Sequence, residues 1–151
     1  MQSKGTVSYN QYRKILDTMP VVCVDLIVRY KDEFALVKRD HKPAYGKLWI
    51  PGGRILKGET FARAIKRKLR EEINIAPRYI KTISQLPPGE TFFKNSEFDT
   101  STHTISITFL IEVKKKNASD VGTDGKILWF KKMPLSSAPY VKKYLRLSGI
   151  R

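Results

Sequence analysis

Residues 49–75, "WIPGGRILKGETFARAIKRKLREEINI", constrain this chain more than any other stretch. A strand ending in Gly52 and Gly53 hands over to a segment where Phe61, Ile65, Leu69 and Ile73 recur every four residues among Arg, Lys and Glu. That period predicts an amphipathic helix over 60–73 with one apolar stripe against a sheet. Two glycines let the backbone approach a ligand and turn a carbonyl toward a cation. Glu59 stands at the positive end of the helix dipole, as a cap or as a distant carboxylate. At the far end Arg67 and Glu71 share a face, and Glu72 stacks one turn from Lys68. Taken singly, the glutamates are surface ion-pair partners. In this order, carboxylates plus a glycine carbonyl suit a hard divalent cation, Mg²⁺ with Mn²⁺ as the alternative.

The flanks supply a sheet for that helix. Residues 8–17 predict a helix capped by Ser8 and ended by Pro20. "VVCVDLIVRY" and "EFALVKRD" read as a hairpin of β-branched strands, "HKPAYGK" as a loop, and "LWIPGGR" as a short strand. "YIKTISQL" is a strand, 87–102 a polar loop, "HTISITFLIEV" a central strand, 114–126 a charged turn, "ILWF" a last strand and 137–149 a C-terminal helix. The order α-β-β-β-α-β-β-β-α predicts an α/β fold, a mixed sheet with helices packed on it, as one domain over 1–151. Tyr30, Phe34, Trp49, Phe109, Trp129 and Phe130 lie on strands beside aliphatics and read as core. Phe92 and Phe93, in the 87–102 loop, can stack on a base or sugar.

Charge points to the ligand. Twenty-nine Lys and Arg against fourteen acids give +15, a field that attracts phosphate-bearing molecules or nucleic acid, or simply a solvated Lys-rich surface. No signal peptide or membrane span is evident, so a cytoplasmic location is expected. The single cysteine, Cys23, reads as a buried structural thiol.

The 53–75 stretch resembles the Nudix hydrolase signature. Read from Gly53, it supplies Glu59, Arg67, Leu69, Glu71, Glu72 and Ile75 at the family spacing, with Lys68 where the family has Glu and Asn74 where it has Gly. The resemblance covers nearly the whole chain and implies a Nudix-type α/β/α sandwich around a mixed β-sheet. "MPVVCVDLIV", "KRDHKPAYGKLWIPGGRILKGE" and "TSTH" look like segments of GDP-mannose mannosyl hydrolases, which cleave at the sugar carbon rather than at phosphorus. On that model Arg39 and Arg54 clamp a diphosphate, and Arg67 orients the carboxylates or touches phosphate. Gly52, Glu72 and then Glu71 hold Mg²⁺, and Lys68 meets the diphosphate or weakens the metal. Asp25 serves the sugar or base, or is a hydrogen-bonded structural acid.

The general base is open. Where the mannosyl hydrolases carry Gln and His before the last strand, this chain has Thr123 and Asp124. His103, in "TSTH", is a second candidate, and His41 is the other imidazole. Three functions follow as expectations. The first is a Mg²⁺-dependent hydrolase of a nucleoside diphosphate linked to another group, such as a nucleotide sugar. The second is a Nudix pyrophosphohydrolase cleaving at phosphorus, and the third a non-catalytic module binding nucleotides or RNA. A small-molecule substrate is favoured over nucleic acid, no membrane is expected, and the family resemblance allows a homodimer.

Overall fold

The computed structural model describes residues 7–94 and 101–151. Helix α1, Tyr9–Thr18, starts with the capping expected at Ser8: its hydroxyl accepts from Gln11 N at 3.3 Å, and Gln11 Oε1 accepts from Ser8 N at 3.0 Å. Strands β1 (Val21–Tyr30) and β2 (Glu33–Arg39) form the expected hairpin, in register from Tyr30 opposite Glu33 to Val28 opposite Ala35.

The stretch 48–54, expected as a short strand broken at Pro51, forms two separate strands. Strand β3, Leu48–Trp49, pairs with β2, and β4, Gly52–Arg54, pairs with the first half of β1. Pro51, between them, has no N–H for a ladder, so the pairing partner changes there. Its carbonyl accepts instead from Leu26 N at 2.8 Å. The consequence is a fork. β1 bonds to β2 only over residues 28–30 and to β4 over residues 23–25, while the rest of β2 bonds to β3 and to a later strand.

Helix α2, Phe61–Ile73, matches the predicted span to within a residue. Its N-cap is Thr60, which accepts from Arg63 N at 3.3 Å, so Glu59 is released for other work. Asn74 closes the helix in the left-handed conformation, φ 55° and ψ 36°, which Asn tolerates better than most residues. Ile65, Leu69 and Ile73 are buried, but Phe61 is 48% exposed and reaches the core through its ring contact with Phe109.

After a short 3₁₀ turn at Pro77–Tyr79 comes β5, Ile80–Gln85. The 87–102 segment, expected as a loop, contains β6, Gly89–Phe93, antiparallel to β7, Thr102–Val113. β5 covers only the second half of the long strand β7, so its first half takes β6 as a partner. Residues 95–100 of that expected loop lie outside the described residues. The expected 114–126 turn holds a hairpin, β8 (Val121–Gly122) with β9 (Gly125–Phe130). Helix α3, Pro139–Leu147, begins at a proline as predicted.

The main path of the nine-stranded sheet is β5-β7-β1-β2-β9-β8, and β1 lies parallel to β7. Alternation along the strands divides the core into two layers. Val24, Leu26, Val28, Ala35, Val37, Phe109 and Ile111 pack with Ala64, Ile65, Leu69 and Ile73 of α2 on one face. Ile27, Phe34 and Leu36 pack with Val141, Tyr144 and Leu145 of α3 on the other. The layering is the α/β/α arrangement expected. Phe34 and Phe109 are fully core, whereas Tyr30, Trp49, Trp129 and Phe130 are only partly buried against it. Among the described residues no helix is long and apolar enough to cross a membrane.

Candidate active site

Where β2 leaves β1, the sheet opens a cleft of about 210 Å³. Its walls carry Asp25 from β1, Arg39 from β2, Gly52, Gly53 and Arg54 from β4, Lys68 from α2 and Asp124 from the β8–β9 turn. Thr102, Thr104 and Ser106 of β7 and the rings of Trp49, Phe93 and Tyr140 complete it. Three cations thus face two carboxylates in a recess, the balance that suits a phosphate-bearing ligand.

Gly52 is required by the fork. A Cβ there would collide with the carbonyl of Val24, because β4 lies against β1. At Gly53 a Cβ would stand 2.6 Å from Lys68 Cε and 2.8 Å from its Nζ, so the end of the lysine would have to shift.

The α2 carboxylates converge on that ammonium. Lys68 Nζ lies 3.1 Å from Glu72 Oε1 and 3.2 Å from Glu71 Oε2. Glu72 is fully buried, and its Oε2 has no hydrogen-bond partner. Burial, and then the neighbouring Asp124 carboxylate, push its carboxyl up to about 7, with Lys68 pulling the other way. Burial acts to lower the Lys68 pKa, but Glu72 and Glu71 outweigh it and hold the ammonium charged.

Asp124 is positioned from β2. Arg39 donates from Nη1 to Asp124 Oδ2 at 3.2 Å and from Nε to the Pro43 carbonyl at 2.6 Å. His41 stands between two acids, Nδ1 2.7 Å from Asp40 Oδ1 and Nε2 3.2 Å from Asp124 Oδ1. On the other wall Asp25, 7% exposed, accepts from the Tyr140 hydroxyl at 2.7 Å. Burial pushes its carboxyl up to about 6, against the pull of Tyr140, Ser106 and Arg39. Asp25 is therefore a hydrogen-bonded acid that also lines the cleft. Arg54 stacks on the Tyr12 ring, 4.9 Å from its centroid.

A divalent ion would seek oxygens around Glu71 and Glu72. The partnerless Glu72 Oε2 is one such donor. The remaining donor set does not fit: Lys68 already lies between the two glutamates, and among the described residues no group of three or more His, Cys, Asp or Glu is arranged to hold a metal. A divalent ion at Gly52, Glu71 and Glu72 would share both carboxylates with the Lys68 ammonium.

The NUDIX domain model matches residues 19–147. This chain belongs to the Nudix family. Membership supports a hydrolase, and Nudix hydrolases generally use a divalent metal such as Mg²⁺. Similar proteins include the low-salt glycan biosynthesis protein Agl8 of Haloferax volcanii, 27% identical over 90% of this chain and 86% of its own length. An ADP-ribose pyrophosphatase of Methanocaldococcus jannaschii is 31% identical over 62% of this chain, which spans about half of that protein, 52%. Among solved structures, the MutT NUDIX hydrolase from Burkholderia pseudomallei superimposes with a TM-score of 0.69 at 20% identity, over 85% of this chain and 98% of that one. The NUDIX domain of Shewanella oneidensis NrtR, crystallised with ADP ribose, gives 0.66 at 17% identity over 95% and 97%. These structural likenesses establish the Nudix fold.

Within this Nudix domain the cleft gathers Asp25, Arg39, Gly52, Arg54, Lys68 and Asp124, with Glu71 and Glu72 joined to it through Lys68. Two expected site residues are elsewhere. His103 stacks on Phe92, ring centroids 4.3 Å apart, and faces Glu90 at 3.4 Å. Strand alternation explains it, since Thr102 and Thr104 line the cleft and the residue between them points away. Arg67 is absorbed by the motif itself. Its Nε and Nη2 donate to the two Glu59 oxygens at 2.7 and 2.8 Å, Nη2 also to the Arg54 carbonyl at 3.0 Å, and Nη1 to Glu71 at 3.2 Å. It braces the β4–α2 connection and does not line the cleft.

Sequence reasoning undervalued three groups. His41 was legible as an imidazole close to Arg39 in sequence, but nothing local ties it to Asp124, 83 positions on. Glu59 was legible through the signature. Tyr140 carried no signal, because only packing brings α3 to Asp25. Cys23, expected buried, is half-buried in the cleft wall, and burial pushes its thiol up to about 12.

Proposed function

We propose that this Nudix domain hydrolyses a nucleoside diphosphate linked to another group, with a nucleotide sugar such as GDP-mannose as the leading substrate. The observation that carries the reading is the cleft itself, which Arg39, Arg54 and Lys68 line together with Asp124, the last held by Arg39 and His41. Guanidinium forks and an ammonium suit diphosphate oxygens. The stacked Trp49 and Tyr140 rings, centroids 5.7 Å apart, with Phe93 against Trp49 at 5.4 Å, offer apolar faces to a base or sugar. Asp25 supplies a buried acceptor for hydroxyls. The glycan-biosynthesis name of one relative and the ADP-ribose pyrophosphatase name of another support this substrate class.

In this reading Asp124, fixed by Arg39 and His41, takes a proton from the attacking water. The water oxygen bonds to the sugar carbon or to phosphorus, and the bond to the leaving oxygen breaks. The leaving electron pair settles on a phosphate oxygen, where Arg54 and Lys68 offset its charge. Mg²⁺ or Mn²⁺ at Gly52, Glu71 and Glu72 would share both carboxylates with Lys68, and no step above depends on it.

The test is product analysis with GDP-mannose and ADP-ribose in ¹⁸O-labelled water, with and without Mg²⁺, beside Asp124→Asn. Label in free mannose places attack at carbon; label in a phosphate product places it at phosphorus. Asp124→Asn is expected to lower kcat by about 10²–10⁴-fold. A wild type as inert as the variant on both substrates would remove the catalytic reading and leave a binding module.

A further inference from the structure

We propose that Lys68 is the resident cation of this site: its ammonium occupies the place between Glu71 and Glu72 that a divalent ion would need, and presents one proton to a diphosphate in the cleft. The inference rests on the reading of the cleft as a diphosphate site and specifies how its charge is balanced.

Two observations converge. The ammonium donates to Glu72 Oε1 at 3.1 Å and pairs with Glu71 Oε2 at 3.2 Å, which leaves a proton for an oxygen in the cleft that Lys68 also lines. The side chain is only 14% exposed, and its end lies over Gly53, where a Cβ would stand 2.6 Å from Cε. Room for the ammonium is thus built into the backbone at the second glycine.

A divalent ion and this ammonium compete. Both draw on the Glu71 and Glu72 carboxylates, and two cations held on the same pair of carboxylates repel. Mg²⁺ also demands near-octahedral oxygen coordination, whereas an ammonium takes fewer partners at longer distances. Lys68 can therefore perform one task of a metal, charge stabilisation beside a phosphate, without the metal's requirement for additional carboxylates.

The experiment titrates inorganic pyrophosphate calorimetrically in EDTA and in excess Mg²⁺, and follows Mn²⁺ uptake by the loss of its free-ion resonance signal. Wild type, Lys68→Met, Lys68→Arg and Lys68→Glu are compared, each checked for folding by thermal denaturation. Wild type is expected to bind pyrophosphate in EDTA within about threefold of its affinity in Mg²⁺ and to take up little Mn²⁺. Lys68→Met should lose at least about tenfold in EDTA, the size of one charge-assisted bond, while Lys68→Arg keeps most of it. Lys68→Glu should gain Mn²⁺ uptake and bind pyrophosphate only with metal.

Pyrophosphate binding by wild type that requires Mg²⁺, with Mn²⁺ uptake unchanged in Lys68→Met, overturns the proposal and leaves the diphosphate site standing. No pyrophosphate binding under either condition overturns both.

Discussion

If Arg67 is replaced by Met, four contacts vanish together: two to Glu59, one to the Arg54 carbonyl and one to Glu71. The side chains of Arg67 and Glu59 are 24% and 11% exposed, so water replaces these bonds incompletely. Hydrogen bonds to charged groups contribute about 1.5–3 kcal/mol each, and bonds sharing one guanidinium are far from additive. A loss of about 3 kcal/mol follows, because Glu59 keeps only the Leu56 N–H, at 3.0 Å. For a chain of this size each kcal/mol is about 2–4 °C in Tm, so a fall of about 6–12 °C is expected.

The assay is thermal denaturation of wild type, Arg67→Met, Glu59→Gln and the double variant. The double variant should lose little beyond either single one, with a coupling of about 2 kcal/mol. Arg67 also holds the Glu59 carboxyl below its ordinary 4.5, helped by the Leu56 N–H and Lys68 and opposed by partial burial. The folded state therefore binds that proton less tightly than the unfolded chain. This stabilisation is complete above pH 4.5 and is lost as pH falls through the folded-state value, so the gap between wild type and Glu59→Gln should close on acidification. An Arg67→Met protein melting within about 2 °C of wild type, yet binding pyrophosphate about tenfold more weakly, would refute the bracing role and make Arg67 a substrate ligand.

Three further outcomes are expected. Cys23, with its thiol pushed up to about 12, should react with iodoacetamide at pH 8 on the order of 10³-fold more slowly than a free thiol, and faster as pH rises; mass spectrometry reads this. Tyr140→Phe removes the 2.7 Å bond to Asp25 and should cost about 1–2 kcal/mol in urea denaturation. Asn74→Ala loses a left-handed C-cap and the Nδ2 bonds to the Ser119 and Val121 carbonyls, at 3.2 and 2.5 Å; the expected cost is about 2–3 kcal/mol by the same measurement, with Asn74→Gly, which keeps the backbone conformation, costing roughly half that.

The motif helix was legible because its information is local. A four-residue apolar period and two glycines specify which face of α2 meets the sheet and where backbones must approach closely. The hairpin of β1 and β2 and the proline start of α3 were legible for the same reason. Strand β6 was not, since it exists only because the first half of β7 needed a partner. The split at Pro51 was visible as a break, but the exchange of partners across it was not, for pairing is a property of two segments.

The charges follow the same division. Sequence alone determined that Glu59, Arg67, Lys68, Glu71 and Glu72 would crowd one helix and its entrance, because helical spacing sets their mutual distances. It also determined that Lys68 departs from the family's glutamate. Only the tertiary structure decided that Arg67 is spent on Glu59, that His103 points away from the cleft, that Asp124 and Tyr140 reach it, and that His41 meets Asp124. Those outcomes depend on which strand face, turn and distant helix the packed sheet brings to the fork, and no residue's neighbours in sequence encode that choice.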